Sequence, residues 1–184
     1  MRVFISGATS VLGQSIVRDF MRAGHQVIGL ARTEASRSLL HALKATAYYG
    51  YGRDIDRLAD ALATVDAIVH AASTLPSTES PVEDEWMFSE EIVSGLLHNL
   101  ISAAVQSGCK KVVLMSSYAI YGDHGAGWVT ERTTLAPVSG MDAYLEAEHA
   151  LQEATTERHI SGVILRAGML YAPTLPQTQA LFTA

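Results

Sequence analysis

The run MRVFISGATSVLG at the start of the chain constrains the fold more than any other stretch. Val3, Phe4 and Ile5 form a short apolar, β-rich segment of the kind buried on both faces of a sheet. It breaks at Ser6-Gly7-Ala8-Thr9-Ser10, after which Val11, Leu12, Ile16, Val17 and Phe20 recur with a helical period. Strand, tight glycine turn and helix, in that order, make the first βα unit of a dinucleotide-binding layout. Gly7 would permit the turn, and Gly13 would let the helix lie close to the strand. The helix N-terminus, with free N–H groups and a partial positive charge, would then face a pyrophosphate.

The rest of the chain repeats the alternation. Helix 11–23 ends at Gly24, a natural helix stop. Strands are expected at 26–30, 45–50, 67–72, 111–116 and 163–166, with helices at 33–43, 54–62, 85–106 and 141–158, and Asp54 capping the third helix. Residues 73–84 (STLPSTESPVED) carry the proline and serine clusters of a loop. Strands alternating with helices predict a three-layer α/β fold, a doubly wound parallel sheet of Rossmann type with about six strands. The domain is expected to span 1–173, with 174–184 a polar tail.

Composition narrows the function. A net charge of −6 with acids and bases interspersed leaves no footprint for nucleic acid. The single Cys109 excludes a disulfide framework and a multi-cysteine metal site. No basic leader with an apolar segment opens the chain and no apolar run spans a bilayer, so the sequence reads as cytoplasmic. Arg32 closes the second strand where an NAD-preferring site would carry an acid, which favours NADP with NAD as the alternative; an ordinary surface charge is the other reading. Glu34 falls in the first turn of the next helix, where it compensates the dipole.

The blocks SGATSVLG, GLAR, RDIDRLADAL, VDAIVHAAS, SSYAIYG and VILRAGMLYAP follow one another in a familiar order. Together they resemble the extended short-chain dehydrogenase/reductases, the NAD(P)-dependent epimerase/dehydratase family. The resemblance implies a cofactor site made by Gly7, Thr9, Ser10, Val11, Leu12, Gly13 and Arg32. It adds Asp54 and Ile55 beside the adenine, and Ala71, Ala72, Ser73 and Ser116 along the cofactor. Arg166 and Tyr171 belong to the end of the last strand.

In that family a Tyr transfers a proton, a Lys four residues later lowers its pKa, a Ser holds the substrate oxygen, and an Asn keeps the site in shape. Ser117 matches the serine. YLEAEHAL, residues 144–151, overlays the family's lysine-containing run and puts Tyr144 at the lysine position and Gly140 at the tyrosine position. The asparagine position is Ile92. The only lysines are Lys44, Lys110 and Lys111, none preceded four residues earlier by Tyr. A tyrosine without a neighbouring cation is a poor base near neutrality. Ser10 and Val11 also stand where glycines of the phosphate loop are expected; Ser10 would crowd the pyrophosphate or donate a hydroxyl hydrogen bond to it.

Two functions follow. One is an NADP-dependent oxidoreductase or sugar-nucleotide enzyme in which Ser117 polarises a substrate oxygen and Tyr144 or a substrate group replaces the missing acid/base. The other is a dinucleotide-binding sensor or partner-binding protein without turnover. Tyr118 and Tyr121 flank Ser117 and are secondary candidates, against amphipathic packing. His70 reads as a hydrogen-bonded core histidine, His149 as solvated, and Glu83, Asp84 and Glu85 as helix-end charges; Trp86, Met87 and Phe88 line a substrate mouth or the core. Family members continue past the last block into a small substrate domain, so 174–184 would begin a missing or reduced one. The substrate is an unidentified small molecule, and a homodimer is expected through the helices near 85–106 and 141–158.

Overall fold

Alternate residues of the first strand, β1 (Arg2–Ser6), enter two different cores, and this makes the molecule three layers. Val3 and Ile5 pack with Val17, Val27 and Leu40 on one side. Phe4 meets Leu58, Leu97 and Leu100 on the other. All three β1 residues are fully buried, which is why the run reads as continuously apolar rather than alternating.

The computed structural model describes residues 1–73, 89–173, 175, 178 and 179. After β1 come α1 (Val11–Arg22), β2 (Gln26–Ala31), α2 (Glu34–Ala42), β3 (Thr46–Tyr49), α3 (Ile55–Leu62) and β4 (Ala67–His70). Then follow α4 (Leu96–Ser107), β5 (Lys111–Ser117), α5 (Asp142–Glu157) and β6 (Ser161–Ala167). The strands form one sheet in the order β3-β2-β1-β4-β5-β6, every neighbouring pair parallel. This is the expected doubly wound sheet of six strands. Its order reverses between β1 and β4, so their following loops part and leave a crevice above the carboxyl ends.

Local chemistry sets the boundaries. Thr33 Oγ1 accepts from Ser36 N at 3.1 Å and Asp54 Oδ1 from Arg57 N at 3.0 Å, each capping its helix as its residue type favours. Glu34, in the first turn of α2, also pairs with Arg37. Three elements differ from the sequence expectation by more than a single residue at an end. Strand β4 ends at His70 rather than residue 72: Ala71 N still donates to Ser6 O at 3.0 Å, and the two chains then diverge. Strand β6 begins at Ser161, two residues early, because it pairs with all of β5 from Lys111↔Ser161 to Ser117↔Ala167. The helix expected at 85–106 is not uniform, since Glu91–Gly95 forms a π-helical turn before α4. Its first residues, with Trp86, Met87, Phe88 and the acids at 83–85, lie outside the described residues.

Strand β6 turns Gly162, Ile164 and Arg166 toward α5; Val163 and Leu165, on the opposite side, are exposed. Arg166 meets Glu148, which is 1% exposed against 17% for the arginine. Nε donates to Oε1 at 3.0 Å and Nη2 to Oε2 at 2.7 Å, while Nη1 donates to the Tyr121 hydroxyl at 2.7 Å. The carboxylate and the phenol oxygen hold the guanidinium charged, well above its already high pKa. Tyr121 lies under it, 4.9 Å from ring centroid to Cζ.

Removing one member of a buried pair strands the other's charge or its hydrogen-bonding groups. Glu148→Ala is therefore expected to lower unfolding free energy by about 3 kcal/mol or more, read from the urea midpoint. A loss below about 1 kcal/mol, the level of a surface pair, would show that water replaces the carboxylate freely.

Candidate functional site

The loop from β1 to α1 is held by contacts that only glycine permits. Gly7 adopts φ +76°, and a Cβ there would lie 2.5 Å from the backbone of Ala71 and Ala72. A Cβ on Gly13 would lie 2.0 Å from the Gly7 carbonyl oxygen. The first glycine makes the turn the sequence predicts and also packs the loop onto the end of β4; the second packs the helix onto the loop, where the sequence predicts close approach to the strand. Ser10 caps α1: its Oγ accepts from Gly13 N at 3.0 Å. This role was not foreseen, although the signal was present, a serine directly before the helical period. The cap uses one first-turn N–H and folds the side chain along the helix. The N–H groups of Val11 and Leu12 have no intrahelical acceptor and carry the positive end of the dipole. Ser10 and Val11 are exposed and Thr9 is half-buried, so this face opens outward.

Across the crevice, β4 and β5 contribute hydroxyls. Ser73, just past β4, shares a 2.6 Å hydrogen bond with the hydroxyl of Tyr144 on α5. Tyr144 is buried; desolvation pushes its pKa up and the Ser73 hydrogen bond offsets only part of this, so the phenol stays protonated at neutral pH. Ser116 is 5% exposed, and its Oγ has no hydrogen-bond partner among the described residues. Ser117 Oγ accepts from Ala119 N at 3.2 Å and caps the short helical turn Tyr118–Tyr121. Of the two flanking tyrosines, Tyr121 is committed to Arg166 and Tyr118 is exposed. Gly140, at φ +85°, offers no side chain where the family's tyrosine is expected, and Ile92 is buried in the core. Lys110 and Lys111 sit at the opposite end of β5 from the serines, roughly 20 Å away at strand rise. No lysine replaces the missing cation.

Beneath the crevice lies a buried polar chain. Ser6 and His70 are register partners on β1 and β4, and Ser6 Oγ is 2.6 Å from His70 Nδ1. His70 Nε2 is 2.9 Å from the carbonyl oxygen of Val93 in the π-helical turn. A carbonyl only accepts, so Nε2 carries the proton and Nδ1 accepts from the serine. The core-histidine reading is right, and the same bond ties the π-helical turn to β4 through the Val93 carbonyl. That turn lines a cavity of about 930 Å³ together with Arg32, Tyr51, Arg53, His98 and Asn99. Of the residues expected to bind cofactor, only Arg32 lines it. Arg53 donates through Nε to Glu91 Oε1 at 2.9 Å and also through Nη2. Arg53 stood unremarked in the block RDIDRLADAL, because its partner is 38 residues away. A smaller hollow of about 290 Å³, between Ser89, Glu90, Gly140, Asp142 and Glu146, adjoins the start of α5. Among the described residues no cluster of three or more His, Cys, Asp or Glu could hold a metal ion. No described helix is long and apolar enough to cross a membrane.

The profile of the NAD dependent epimerase/dehydratase family matches residues 3–183. Sterol-4-alpha-carboxylate 3-dehydrogenase, decarboxylating, from Dictyostelium discoideum is 25% identical over 144 residues, 77% of this chain and 43% of that enzyme. A photosystem II assembly factor from Synechocystis sp. is 35% identical over 118 residues, 63% of this chain and 33% of its own length. The structure of UDP-glucuronic acid 4-epimerase from Bacillus cereus in complex with NAD has a TM-score of 0.77 at 20% identity, covering 95% of this chain and 59% of that one. At that identity the likeness is one of fold. The chain spans between 33% and 59% of the length of these three relatives.

Burial holds the His70 pKa at about 4, below its ordinary 6.5, despite the opposing effect of the Val93 hydrogen bond. The unfolded chain therefore binds the extra proton first. Stability from this group is complete above about pH 6.5 and falls as pH drops toward 4, a loss of about 3 kcal/mol over that window. Urea unfolding between pH 7 and 4 should show this slope in the wild type and a shallower one in His70→Gln; equal slopes would refute it.

Proposed function

The chain belongs to the NAD dependent epimerase/dehydratase family, and from that premise we propose that it binds a nicotinamide dinucleotide across the β1/β4 crevice, with NADP favoured over NAD. The observation that carries this is the β1–α1 loop. Its two glycine contacts leave the helix end open, with the Val11 and Leu12 N–H groups unclaimed. They would hold the pyrophosphate, with Thr9 and Ser10 at its edge. Asp54 and Ile55 would flank the adenine, Ala71, Ala72 and Ser73 would line the middle, and Arg32 would meet a 2′-phosphate. The unpartnered Ser116 hydroxyl fits a polar group arriving from outside, as a buried donor without one is costly. Bound there, the nicotinamide would supply hydride transfer.

The chain's own residues would do the rest. Ser117 would donate its hydroxyl proton to a substrate oxygen, since its lone pair already serves Ala119. Tyr144 holds its proton at Oη and fixes Ser73, acting as a neutral hydrogen-bonding group rather than a base. We assign sugar nucleotides or small carbonyl compounds as the substrate class. The second reading, dinucleotide binding without turnover, is favoured by the same raised Tyr144 pKa and by the absence of a Tyr-x-x-x-Lys pair. A homodimer through α4 and α5, with Val105 exposed on α4, and a cytoplasmic location complete the proposal.

Titration with NADPH and NADH, followed by nicotinamide fluorescence, tests binding; a saturable change is expected, and none with either up to millimolar levels would end the reading. Given binding, Ser117→Ala should lower kcat/KM by about 100-fold on any substrate turned over from a panel of sugar nucleotides and carbonyls. Measurable turnover that is unaffected by Ser117→Ala and Tyr144→Phe would remove both residues from the chemistry, and binding with no turnover at all would select the sensor.

A further inference from the structure

Arg53 and Glu91 face each other at the rim of the large cavity that also receives Arg32. Their pairing is exposed, with side chains 69% and 46% accessible. Such a pair gains little in water and is easily exchanged for a better anion. Both anchors beneath it are firm. The loop before Arg53 is fixed at Gly52, buried at φ +71°, whose carbonyl accepts from Asn99 Nδ2 at 3.1 Å. The turn bearing Glu91 is fixed from below by the His70 bond to Val93. A weak contact is thus held in register by two stronger ones. Tyr51, which also lines the cavity, places its ring centroid 5.8 Å from the Arg53 guanidinium.

We propose that Glu91 is a built-in competitor for the 2′-phosphate of the adenosine half: it holds Arg53 beside Arg32, and Arg53 exchanges the carboxylate for the phosphate when the 2′-phosphorylated dinucleotide binds. This deepens the dinucleotide reading above and rests on it. Arg32 reaches the cavity from the end of β2 and Arg53 from the loop after β3, so a phosphate between them meets two guanidinium groups from separate elements. A guanidinium fork matches phosphate oxygens two at a time and makes stronger charge-assisted bonds than an exposed carboxylate pair. The acids Glu90, Glu91 and Glu146, which also line it, make the cavity unwelcoming to a phosphate that is not met by both arginines. The device therefore sets preference between phosphorylated and unphosphorylated dinucleotides and leaves overall binding to the β1–α1 loop.

The test is a pair of dissociation constants, for NADPH and for NADH, on the wild type, Glu91→Gln and Arg53→Ala. Glu91→Gln releases Arg53 and should tighten NADPH by about threefold to fivefold, with NADH within about twofold. Arg53→Ala should weaken NADPH by about tenfold and again spare NADH. A thermal melt on each variant separates this from a plain structural staple, which would lower the melting temperature in both variants and leave the NADPH-to-NADH ratio unchanged. An unchanged ratio overturns the competitor while leaving dinucleotide binding intact. Failure of the wild type to bind either nucleotide overturns both.

Discussion

The structure depends on a seam between two parallel strands whose last residues are polar and buried. Ser6 and His70 end β1 and β4 as register partners, and they bond to each other at the level where the chains separate. Below them the sheet is closed by apolar packing on both faces. Above them the chain order reverses, and no crossover is available to cover the gap. A histidine there would be an expense if charged. Kept neutral, it satisfies one donor and one acceptor at once: the serine hydroxyl on one nitrogen and the Val93 carbonyl on the other. One side chain therefore ties the strand before the β1–α1 loop, the crevice floor and the π-helical wall of the large cavity into a single unit.

What was legible in the sequence was local. The β1 run, the two glycines and the Asp54 cap each carry their physics within a few residues. Each was placed correctly because short-range sterics and capping decide it. The bounds of β6 were not legible, since pairing with β5 extends it through Ser161 and Gly162, which have weak strand character of their own. The π-helical turn was invisible for a similar reason: the bond that ties it to β4 comes from a histidine 23 residues earlier. Arg53–Glu91 and Glu148–Arg166 likewise join segments 38 and 18 residues apart. Spacing within one element says nothing about such meetings. Glu148 is the plainest case, a carboxylate among acids on a helix that turns out fully buried because β6 brings it a guanidinium.

Tyr144 shows how a single side chain sets the electrostatics of a crevice. A lysine ammonium at that position would supply a positive charge to the crevice; a phenol supplies a dipole. Burial then works against ionising the phenol, and the nearest partner, Ser73, is itself neutral. Ser116 and Ser117 add further hydroxyls on the β5 side. Among the described residues, the β4 and β5 walls of the crevice are thus lined by neutral hydrogen-bonding groups, able to orient a polar ligand but without a local charge to pull a proton off it.

The two halves of such a site do not fail together, because they rest on different kinds of group. Gripping a diphosphate uses backbone N–H groups at a helix end and the close approach that glycine allows; almost any side chain at Val11 or Leu12 leaves those N–H groups in place. Moving a proton uses particular side chains whose pKa values must be tuned by a neighbouring charge, so one substitution abolishes the tuning. On the proposed reading, a chain of this family that keeps Gly7 and Gly13 but has Gly140 and Tyr144 where the tyrosine and lysine are expected would retain the more tolerant half. On the same proposed reading, selection among dinucleotides would pass to the side chains around the adenosine end, where Arg32, Arg53 and Glu91 are among the charged groups that the fold brings to one cavity.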